Sequence, residues 1–310
     1  NGMNMFYKMW VDAENKRDLY KAIDVSWKDV PGRNAKFKEE TIKNTSLEQW
    51  QQEFECEFLG SSNTLISPNT LRVLPYEEPI YKKDGVVQYK EPQKDKTYVL
   101  VADVARGVGL DYSAFVVVDV TSMPFEIVAV FRDNQLSPMM FPTVINKIGT
   151  LYNQAYVLTE INDIGQQVVD ILNNEIEYEN ILSSQIKGRA GQVIGGGFAS
   201  KNQLGIRTTA QLKRLGCSNL KSLVEEQKFI IRDFDIINEL STFVARGQSY
   251  EAEEGSHDDL AMCLVMFAFL SSQPYFKELT DTDIRRKLYD DKMRAIEDGL
   301  TPFGIIDDGS

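Results

Sequence analysis

The spacing of the hydrophobic residues changes near position 98, from a helical repeat to short apolar runs that are typical of strands. Between Asn4 and Asp12, aromatic and methionine residues recur at helical intervals and predict a helix with one face in a core. After position 97 the apolar, β-branched runs predict strands at 98–103, 114–118 and 126–132, a helix at 138–153 and a strand at 155–160. A mostly helical segment is therefore predicted to precede a larger α/β domain.

The second half of the chain predicts further elements around one buried helix. Residues 260–270 are apolar almost all round, which is typical of a helix in the centre of a protein. Residues 187–205 are rich in glycine and predict either a mobile loop or a segment in which the glycines simply form turns. The prolines and charges of 75–97 predict a linker or an edge hairpin. The other predicted elements are helices at 164–172, 208–227 and 234–245 and strands at 181–186 and 229–232.

Acidic residues stand at three points where this pattern would bring them together. Asp103 and Glu160 each end a predicted strand, and Asp258 and Asp259 begin the buried helix. Each acid alone is typical of a solvated loop or of the favourable charge at a helix N-terminus. A buried helix starts close to its sheet, however, so its first carboxylates can reach the two strand ends. Carboxylate oxygens are the ligands that Mg²⁺ and Mn²⁺ prefer, and the acids therefore predict a divalent-cation site.

Histidine and cysteine give little support to other chemistries. His257 is the only histidine, which argues against a mechanism that uses several imidazoles. It is expected to be either a structural residue or a proton-handling group beside the acids. The three cysteines are far apart and form no CxxC pair, so neither a zinc site nor a disulfide framework is predicted. A reducing compartment follows, and no apolar run approaches the length of a membrane span.

Charge is distributed unevenly along the chain. The net charge of −12 by itself disfavours nucleic acid as a partner. From Asn180 to Val224, however, the chain contains no Asp or Glu but several cations, which predicts a surface that binds phosphates. These cations are Lys187, Arg189, Lys201, Arg207, Lys213, Arg214 and Lys221.

The predicted order of elements is strand, strand, strand, helix, strand, helix, with acids on the first strand, the fourth strand and a late helix. This is the ribonuclease H-like arrangement, which predicts a mixed sheet flanked by helices in the α/β class. Such sites need no nucleophilic side chain. Two divalent ions shared by the carboxylates activate a water and stabilise the leaving 3′-oxygen in phosphodiester hydrolysis.

Four segments resemble the large terminase subunit of T-even-type tailed bacteriophages and their cyanophage relatives. They are Asp-Val-Ala-Arg-Gly at 103–107 with Asp-Tyr-Ser at 111–113, Thr-Glu-Ile-Asn at 159–162, the segment 216–221, and Glu-Glu-Gly-Ser-His-Asp-Asp-Leu at 253–260. This family joins a packaging ATPase to a C-terminal nuclease of ribonuclease H-like fold, which cuts concatemeric DNA when packaging starts and ends. The resemblance therefore implies a DNA endonuclease that depends on Mg²⁺ or Mn²⁺.

The family motifs imply roles for particular residues. By position, Asp103, Glu160 and Asp259 are implied as the catalytic, metal-binding triad, and Asp258 as the alternative third ligand. Asp111 is implied as an auxiliary acid near the site, with His257 beside it. DNA is implied to lie along the basic stretch, where the contacts would come from Lys187, Arg189, Lys201, Arg207, Lys213 and Arg214.

The resemblance also implies partners. No Walker A or Walker B element is present, so residues 1–75 are expected to be the end of an ATPase domain with its linker. Residues 76–310 are expected to be the nuclease domain with a C-terminal tail. This chain alone is expected not to hydrolyse ATP. It would work with an ATPase half, the portal or prohead and the small terminase subunit, in the cytoplasm of the infected host and without a membrane.

Two other functions are compatible with parts of this pattern. The first is a noncatalytic module that grips DNA and docks on the portal while it retains a cryptic site, and the intact acids argue against it. The second is a junction-resolving enzyme or a ribonuclease H on the same fold. The layout of the acids alone does not separate the second function from a terminase nuclease.

Overall fold

A central mixed β-sheet occupies the middle of the chain, and helices cover both of its faces. The computed structural model describes residues 5–55, 63–106, 111–186, 191–195 and 203–281. The strands are β1 (Tyr81–Lys83), β2 (Val86–Gln88), β3 (Tyr98–Asp103), β4 (Ser113–Asp119), β5 (Phe125–Asp133), β6 (Tyr156–Thr159), β7 (Ser183–Ile186), β8 (Gln192–Gly195), β9 (Gln203–Leu204), β10 (Phe229–Ile230), β11 (Phe243–Arg246) and β12 (Ser249–Ala252). The α-helices are α1 (Met5–Glu14), α2 (Ala35–Asn44), α3 (Leu47–Glu53), α4 (Pro68–Val73), α5 (Phe141–Leu151), α6 (Gly165–Asn174), α7 (Ala210–Glu225), α8 (Phe234–Thr242), α9 (Asp259–Ser271) and α10 (Pro274–Thr280).

The strand order of the central sheet is β1-β2-β5-β4-β3-β6, with β10 beside β5. Strands β3, β4 and β5 form an antiparallel meander, whereas β6 runs parallel to β3 after the crossover helix α5. Parallel neighbours end at the same edge of a sheet, so the chain leaves β3 and β6 side by side. All of β4 is buried, as expected of a strand that is covered on both faces.

Alternate residues of β3 face two different hydrophobic layers. Val99 and Val101 pack in the layer that contains α9, and Leu100 and Ala102 pack in the layer that contains α5 and α6. Helix α9 is buried from Leu260 to Leu270, which confirms the predicted buried helix.

The glycine at position 216 explains how closely α7 approaches α9. A β-carbon at Gly216 would clash with the backbone oxygen of Val265 on α9, so only glycine allows this approach. Lys213, one turn before Gly216 on α7, is thereby fixed close to the start of α9, where its Nζ lies 4.0 Å from Oδ2 of Asp258.

The N-terminal helices pack differently from the prediction for 4–12. Helix α1 has no buried residue, and the side chains of Met5 and Phe6 are 66% and 61% exposed. The expected core stripe is therefore wrong, because α1 instead turns Tyr7 and Val11 toward the main core. Farther along, Leu65 belongs to the main core. A separate aromatic cluster is formed by Trp27, Phe37, Trp50 and Phe54.

Two segments are more strand-like than predicted. The helix predicted at 234–245 ends at Thr242, and the hairpin β11–β12 follows it, with Gly247 at a φ of 60° in its turn. In the segment 187–205, for which the sequence predicts a mobile loop, β8 and β9 pair with β7 in a small antiparallel sheet. Residues 187–190 and 196–202 of that segment lie outside the described residues. The hairpin alternative for 75–97 is confirmed, because β1 and β2 extend the central sheet.

The length and composition of the helices bear on whether any of them could cross a membrane. Among the described residues, no single helix is long and apolar enough to cross a membrane. Helices α9 and α10 reach that length and composition only when taken together, across a bend of 87°.

Candidate active site

Two carboxylates meet where β3 and β6 end. Ala102 and Thr159 are partners in the parallel pairing, so the residues that follow them, Asp103 and Glu160, lie side by side. The backbone N–H of Glu160 donates to the carbonyl of Ala102 at 2.9 Å. Burial raises the pKa of Asp103 well above its usual range, and the charge and side-chain hydrogen bond of Glu160 raise it further. Without a cation, the protonated form of Asp103 is therefore favoured, beside the carboxylate of Glu160.

The start of α9 brings two more acids to this point. Asp258 occupies the N-cap position and Asp259 is the first helical residue. One turn later, the thiol of Cys263 donates to the backbone oxygen of Ala114 at 3.6 Å, which fixes the helix over β4. The charges of Asp259 and Asp258 also raise the pKa of Asp103, so acids from three elements form one electrostatic cluster.

Asp259 has one carboxylate oxygen without a partner. Its carboxylate accepts a hydrogen bond from the backbone N–H of Tyr112, while its Oδ2 atom is buried and has no hydrogen-bond partner. The Nδ1 atom of His257 lies 3.8 Å from this Oδ2. Burial raises the pKa of Asp259 to about 6, although the charge of Arg132 lowers it. A buried, unpaired carboxylate oxygen is costly unless a cation or a proton satisfies it.

Asp258 is engaged elsewhere. Its Oδ2 accepts from the backbone N–H of Ala252 at 3.3 Å and lies 4.0 Å from Nζ of Lys213 on α7. These partners tie Asp258 to the hairpin and to α7, whereas Asp259 faces Tyr112 and His257. The two neighbouring aspartates therefore have different surroundings.

The carboxylates of Asp103, Glu160 and Asp259 are suitable ligands for a hard divalent cation, but their oxygens do not point at one common centre. In the ranges that the structure describes, no three His, Cys, Asp or Glu side chains are gathered closely enough to hold a metal ion as they stand. The ligands on offer are all carboxylate oxygens, and the free Oδ2 of Asp259 is among them. Asp103, Glu160 and Asp259 therefore fit such an ion chemically, and side-chain rotation is needed to bring them onto one centre.

The remaining predicted site residues lie at different distances from this cluster. Asp111 is exposed, and its charge raises the pKa of Asp259. Arg207 and Arg214 are exposed, whereas Lys213 is half-buried beside Asp258. A cleft of about 240 Å³ lies between α7 and the β11–β12 hairpin. Its lining includes Lys213, Arg214 and Lys221. Lys187, Arg189 and Lys201 lie outside the described residues.

Several residues that contact or surround the acids were not predicted as site residues from the sequence. Asn162 donates from Nδ2 to Oε1 of Glu160 at 3.1 Å, and it was visible only as part of the motif at 159–162. Arg132, at the end of β5, lies close enough to Asp259 to lower its pKa. Glu239 on α8 is nearly fully buried, and burial raises its pKa to about 8.

One exposed ion pair joins the loops that carry the first two acids. Arg106 follows Asp103 and donates from Nε and Nη2 to the carboxylate of Asp163, at 2.5 and 2.8 Å. Asp163 follows Glu160 by three positions. The pair therefore links the loop after β3 to the loop after β6 beside the two strand-end acids.

Comparison with known protein families shows which family the chain belongs to. The family model of the terminase RNaseH-like domain matches residues 100–270, from β3 to α9. The chain belongs to this terminase family. The matched range includes Asp103, Glu160 and Asp259 at the cluster described above. The prediction of a large-terminase nuclease portion with a ribonuclease H-like fold is thereby confirmed, while the T-even type stays a prediction.

Solved terminase nucleases share this fold. The large terminase nuclease of the thermophilic phage G20c, with bound magnesium, is 19% identical, with a TM-score of 0.51. The match covers 67% of this chain and 97% of the other. The same phage nuclease with bound cobalt is 20% identical, with a TM-score of 0.51 and the same coverage.

The acid cluster predicts an unusual pH dependence of stability in the metal-free terminase domain. Asp259 has an ordinary unfolded pKa of about 3.9 and a folded pKa of about 6. Because the folded value is higher, the stabilising contribution is complete below the unfolded pKa and is lost as the pH rises through 6. The loss from Asp259 alone is on the order of 2–3 kcal/mol. In EDTA, Asp259→Asn should therefore raise the melting temperature at pH 7.5 by roughly 4–8 °C.

Differential scanning calorimetry in EDTA between pH 4.5 and 8 measures this effect. Asp163→Asn is the matched control, because the hydrogen bond from Arg106 lowers the pKa of this exposed carboxyl. The control should not stabilise the protein at any of these pH values. An equal or lower melting temperature for Asp259→Asn at pH 7.5 would contradict the raised pKa of Asp259.

Proposed function

We propose that this terminase nuclease domain hydrolyses phosphodiester bonds of concatemeric double-stranded DNA, at the start and the end of packaging. The observation that supports this most directly is the electrostatic cluster of Asp103, Glu160 and Asp259, which comes from three separate parts of the chain and includes an unpartnered oxygen of Asp259. The G20c nuclease, which has the same fold, was solved with bound magnesium and with bound cobalt.

The acids would hold the cations, and neighbouring groups would keep the acids in place. Bound Mg²⁺ or Mn²⁺, as a pair of ions, would supply an activated water and charge stabilisation at the leaving 3′-oxygen. Because the pKa of Asp103 is raised, cation binding would be linked to release of a proton from Asp103. Asn162 orients Glu160, and the backbone N–H of Tyr112 orients Asp259. These contacts hold the ligands before the substrate arrives, which is the usual requirement for precise ligand geometry.

Cations near the acids would bring the DNA backbone to the site. An acidic cluster repels phosphates, and the basic residues of α7 offset this repulsion. Lys213 lies 4.0 Å from Asp258, so its ammonium group stands at the edge of the cluster. Arg214 and Lys221 continue the basic line along the cleft. We propose that one DNA strand follows this line toward Asp103.

The partners and the location belong to the proposal as well. The nuclease would act together with an ATPase half, the portal and the small terminase subunit in the cytoplasm of the infected host. Those partners would supply DNA movement and the timing of cutting, which the described residues do not explain.

The decisive assay is the conversion of supercoiled plasmid to linear and smeared products by the purified chain. Cleavage is expected with Mg²⁺ or Mn²⁺ and not with EDTA. Parallel reactions with an RNA–DNA hybrid and with a four-way junction test the ribonuclease H and resolvase alternatives. Preference for either of these substrates over plasmid would reject the terminase assignment of the activity, and tight DNA binding without cleavage would favour a noncatalytic gripping module.

We expect the exposed cations to control DNA affinity independently of base sequence. Arg207→Glu combined with Arg214→Glu should weaken binding to duplex DNA and flatten its salt dependence, because each lost phosphate contact removes roughly one released counterion. Fluorescence anisotropy between 50 and 200 mM salt, with Ca²⁺ in place of Mg²⁺, measures both quantities. Lys228→Glu, on the loop beyond α7, is the control for each single substitution, Arg207→Glu and Arg214→Glu measured separately, because it changes the charge by the same amount. Unchanged affinity and slope in the double variant would place the DNA elsewhere.

A further inference from the structure

A buried carboxylate on α8 caps the helix that carries Asp259. Glu239 is only 2% exposed, and its Oε2 accepts from the backbone N–H of Ala261 at 2.9 Å. N–H groups in the first turn of a helix have no partner within the helix and must find one elsewhere. Here the partner comes from a different helix, so Glu239 fixes the position of the first turn of α9.

A cation from the sheet meets the same carboxylate. Arg132 stands near the end of β5, and its Nη2 lies 3.4 Å from Oε1 of Glu239. The guanidinium carbon of Arg132 lies 3.9 Å from the centroid of the Tyr112 ring. Planar stacking on an aromatic ring is a contact that arginine makes and lysine does not reproduce.

Tyr112 links Arg132 to Asp259. Its backbone N–H donates to the Asp259 carboxylate, and its ring meets the His257 ring edge-on, with centroids 4.9 Å apart. Glu239 thus holds the helix below Asp259, while Arg132 holds the residue that donates to Asp259.

Three atoms of this group are buried and lack hydrogen-bond partners, namely Nε of Arg132, Oε1 of Glu239 and Oδ2 of Asp259. A network that served only stability would be expected to satisfy such atoms. Their arrangement is explained instead if Arg132 and Glu239 serve to hold the unpartnered oxygen of Asp259 in a fixed position.

We propose that Arg132 and Glu239 are positioning residues, which hold Asp259 so that its free oxygen faces the ends of β3 and β6. This inference rests on the proposed cation site and extends it to residues that touch neither DNA nor the cation. The contacts that Arg132, Glu239 and Tyr112 make around Asp259 are called the brace here. Loss of any of these contacts should weaken cation binding more than it weakens the fold.

The test measures Mn²⁺ affinity by isothermal titration calorimetry and the melting temperature in EDTA, on the full chain. Arg132→Lys and Glu239→Ala should each weaken Mn²⁺ binding by about 10–100-fold, as is typical for partners of metal ligands. Glu239→Gln keeps an acceptor for the N–H of Ala261 and should restore most of the affinity. Tyr112→Leu removes the ring under Arg132 at a half-buried position, and it should weaken binding even if Glu239→Ala fails to fold.

The matched control lies at the opposite end of the same strand. Glu126 on β5 is buried and accepts from Nε of Arg232 at 2.7 Å, away from the acid cluster. Glu126→Gln should lower the melting temperature and leave Mn²⁺ affinity unchanged.

The outcomes separate the brace from the cation site. If the unmodified chain binds Mn²⁺ and the three brace variants (Arg132→Lys, Glu239→Ala and Tyr112→Leu) bind it equally well, Arg132 and Glu239 have a structural role only and the inference is overturned. If the unmodified chain does not bind Mn²⁺, the proposed cation site fails, and the inference fails with it.

Discussion

Asp103→Asn and Glu160→Gln are each expected to reduce Mg²⁺-dependent plasmid cleavage by on the order of 10³-fold or more, with the fold intact. Each variant removes one charge from the pair of carboxylates that the parallel strands β3 and β6 place side by side. A loss of about 4 kcal/mol in transition-state stabilisation corresponds to 10³-fold in rate, and divalent-ion catalysis supplies several kcal/mol. The fold should survive, because an amide at position 103 or 160 can still hydrogen-bond with the side chain of its neighbour.

Initial rates at matched protein concentration measure this loss, together with circular dichroism and melting in EDTA. Asp170→Asn is the control of equal chemistry, because Asp170 is exposed on α6, where it accepts from Nε2 of Gln166 at 2.9 Å, and it does not belong to the acid cluster. It should retain most of the activity. Cleavage at a near-normal rate by Asp103→Asn or by Glu160→Gln would remove that residue from the site.

The hydrophobic pattern predicted the sheet and the buried helix well, because both follow from local periodicity. The strands that end at Asp103 and Glu160 are continuous apolar runs, and the apolar residues of α9 leave no polar face. The acids could therefore be placed from the sequence, since each stands at the end of a strongly patterned element.

Elements that depend on distant partners were missed. Residues 243–245 continue the apolar pattern of α8, yet they form β11, because β12 and the segment before α4 pair with them. The backbone N–H of Leu65 donates to the carbonyl of Phe243, and the N–H of Ala245 donates to the carbonyl of Asn63, each at 3.0 Å. No local pattern in 234–245 reveals such pairing, since strand formation here is a tertiary effect.

Residues around Asp259 were missed for the same reason. Arg132 lies on β5, Tyr112 precedes β4, and Glu239 lies on α8, more than 100 positions farther along the chain. A charged residue at a strand end and a glutamate on an amphipathic helix both suggest solvent exposure. Only the packing of α8 and β5 against α9 shows that they meet beside Asp259.

The two neighbouring aspartates should respond differently to the same substitution. Periodicity does not distinguish them, because the faces of α9 below both are apolar. Their partners do. Asp258 is held by the backbone of Ala252 and by Lys213, whereas Oδ2 of Asp259 is buried without a hydrogen-bond partner. A carboxylate that already has partners is better suited to orient its neighbours than to bind a cation directly.

We therefore expect Asp259→Asn to abolish cleavage to the same extent as Asp103→Asn, and Asp258→Asn to reduce it by about 10–100-fold, as is typical for residues that support metal ligands. Cleavage rates at several Mn²⁺ concentrations, with Mn²⁺ affinity by calorimetry, separate the two. In Asp258→Asn, higher Mn²⁺ should recover part of the rate, because the direct ligands are intact. In Asp259→Asn no concentration should recover it. A structure with Mn²⁺ on Asp258 and with Asp259 turned away would reverse this assignment, and so would recovery by Mn²⁺ in Asp259→Asn alone.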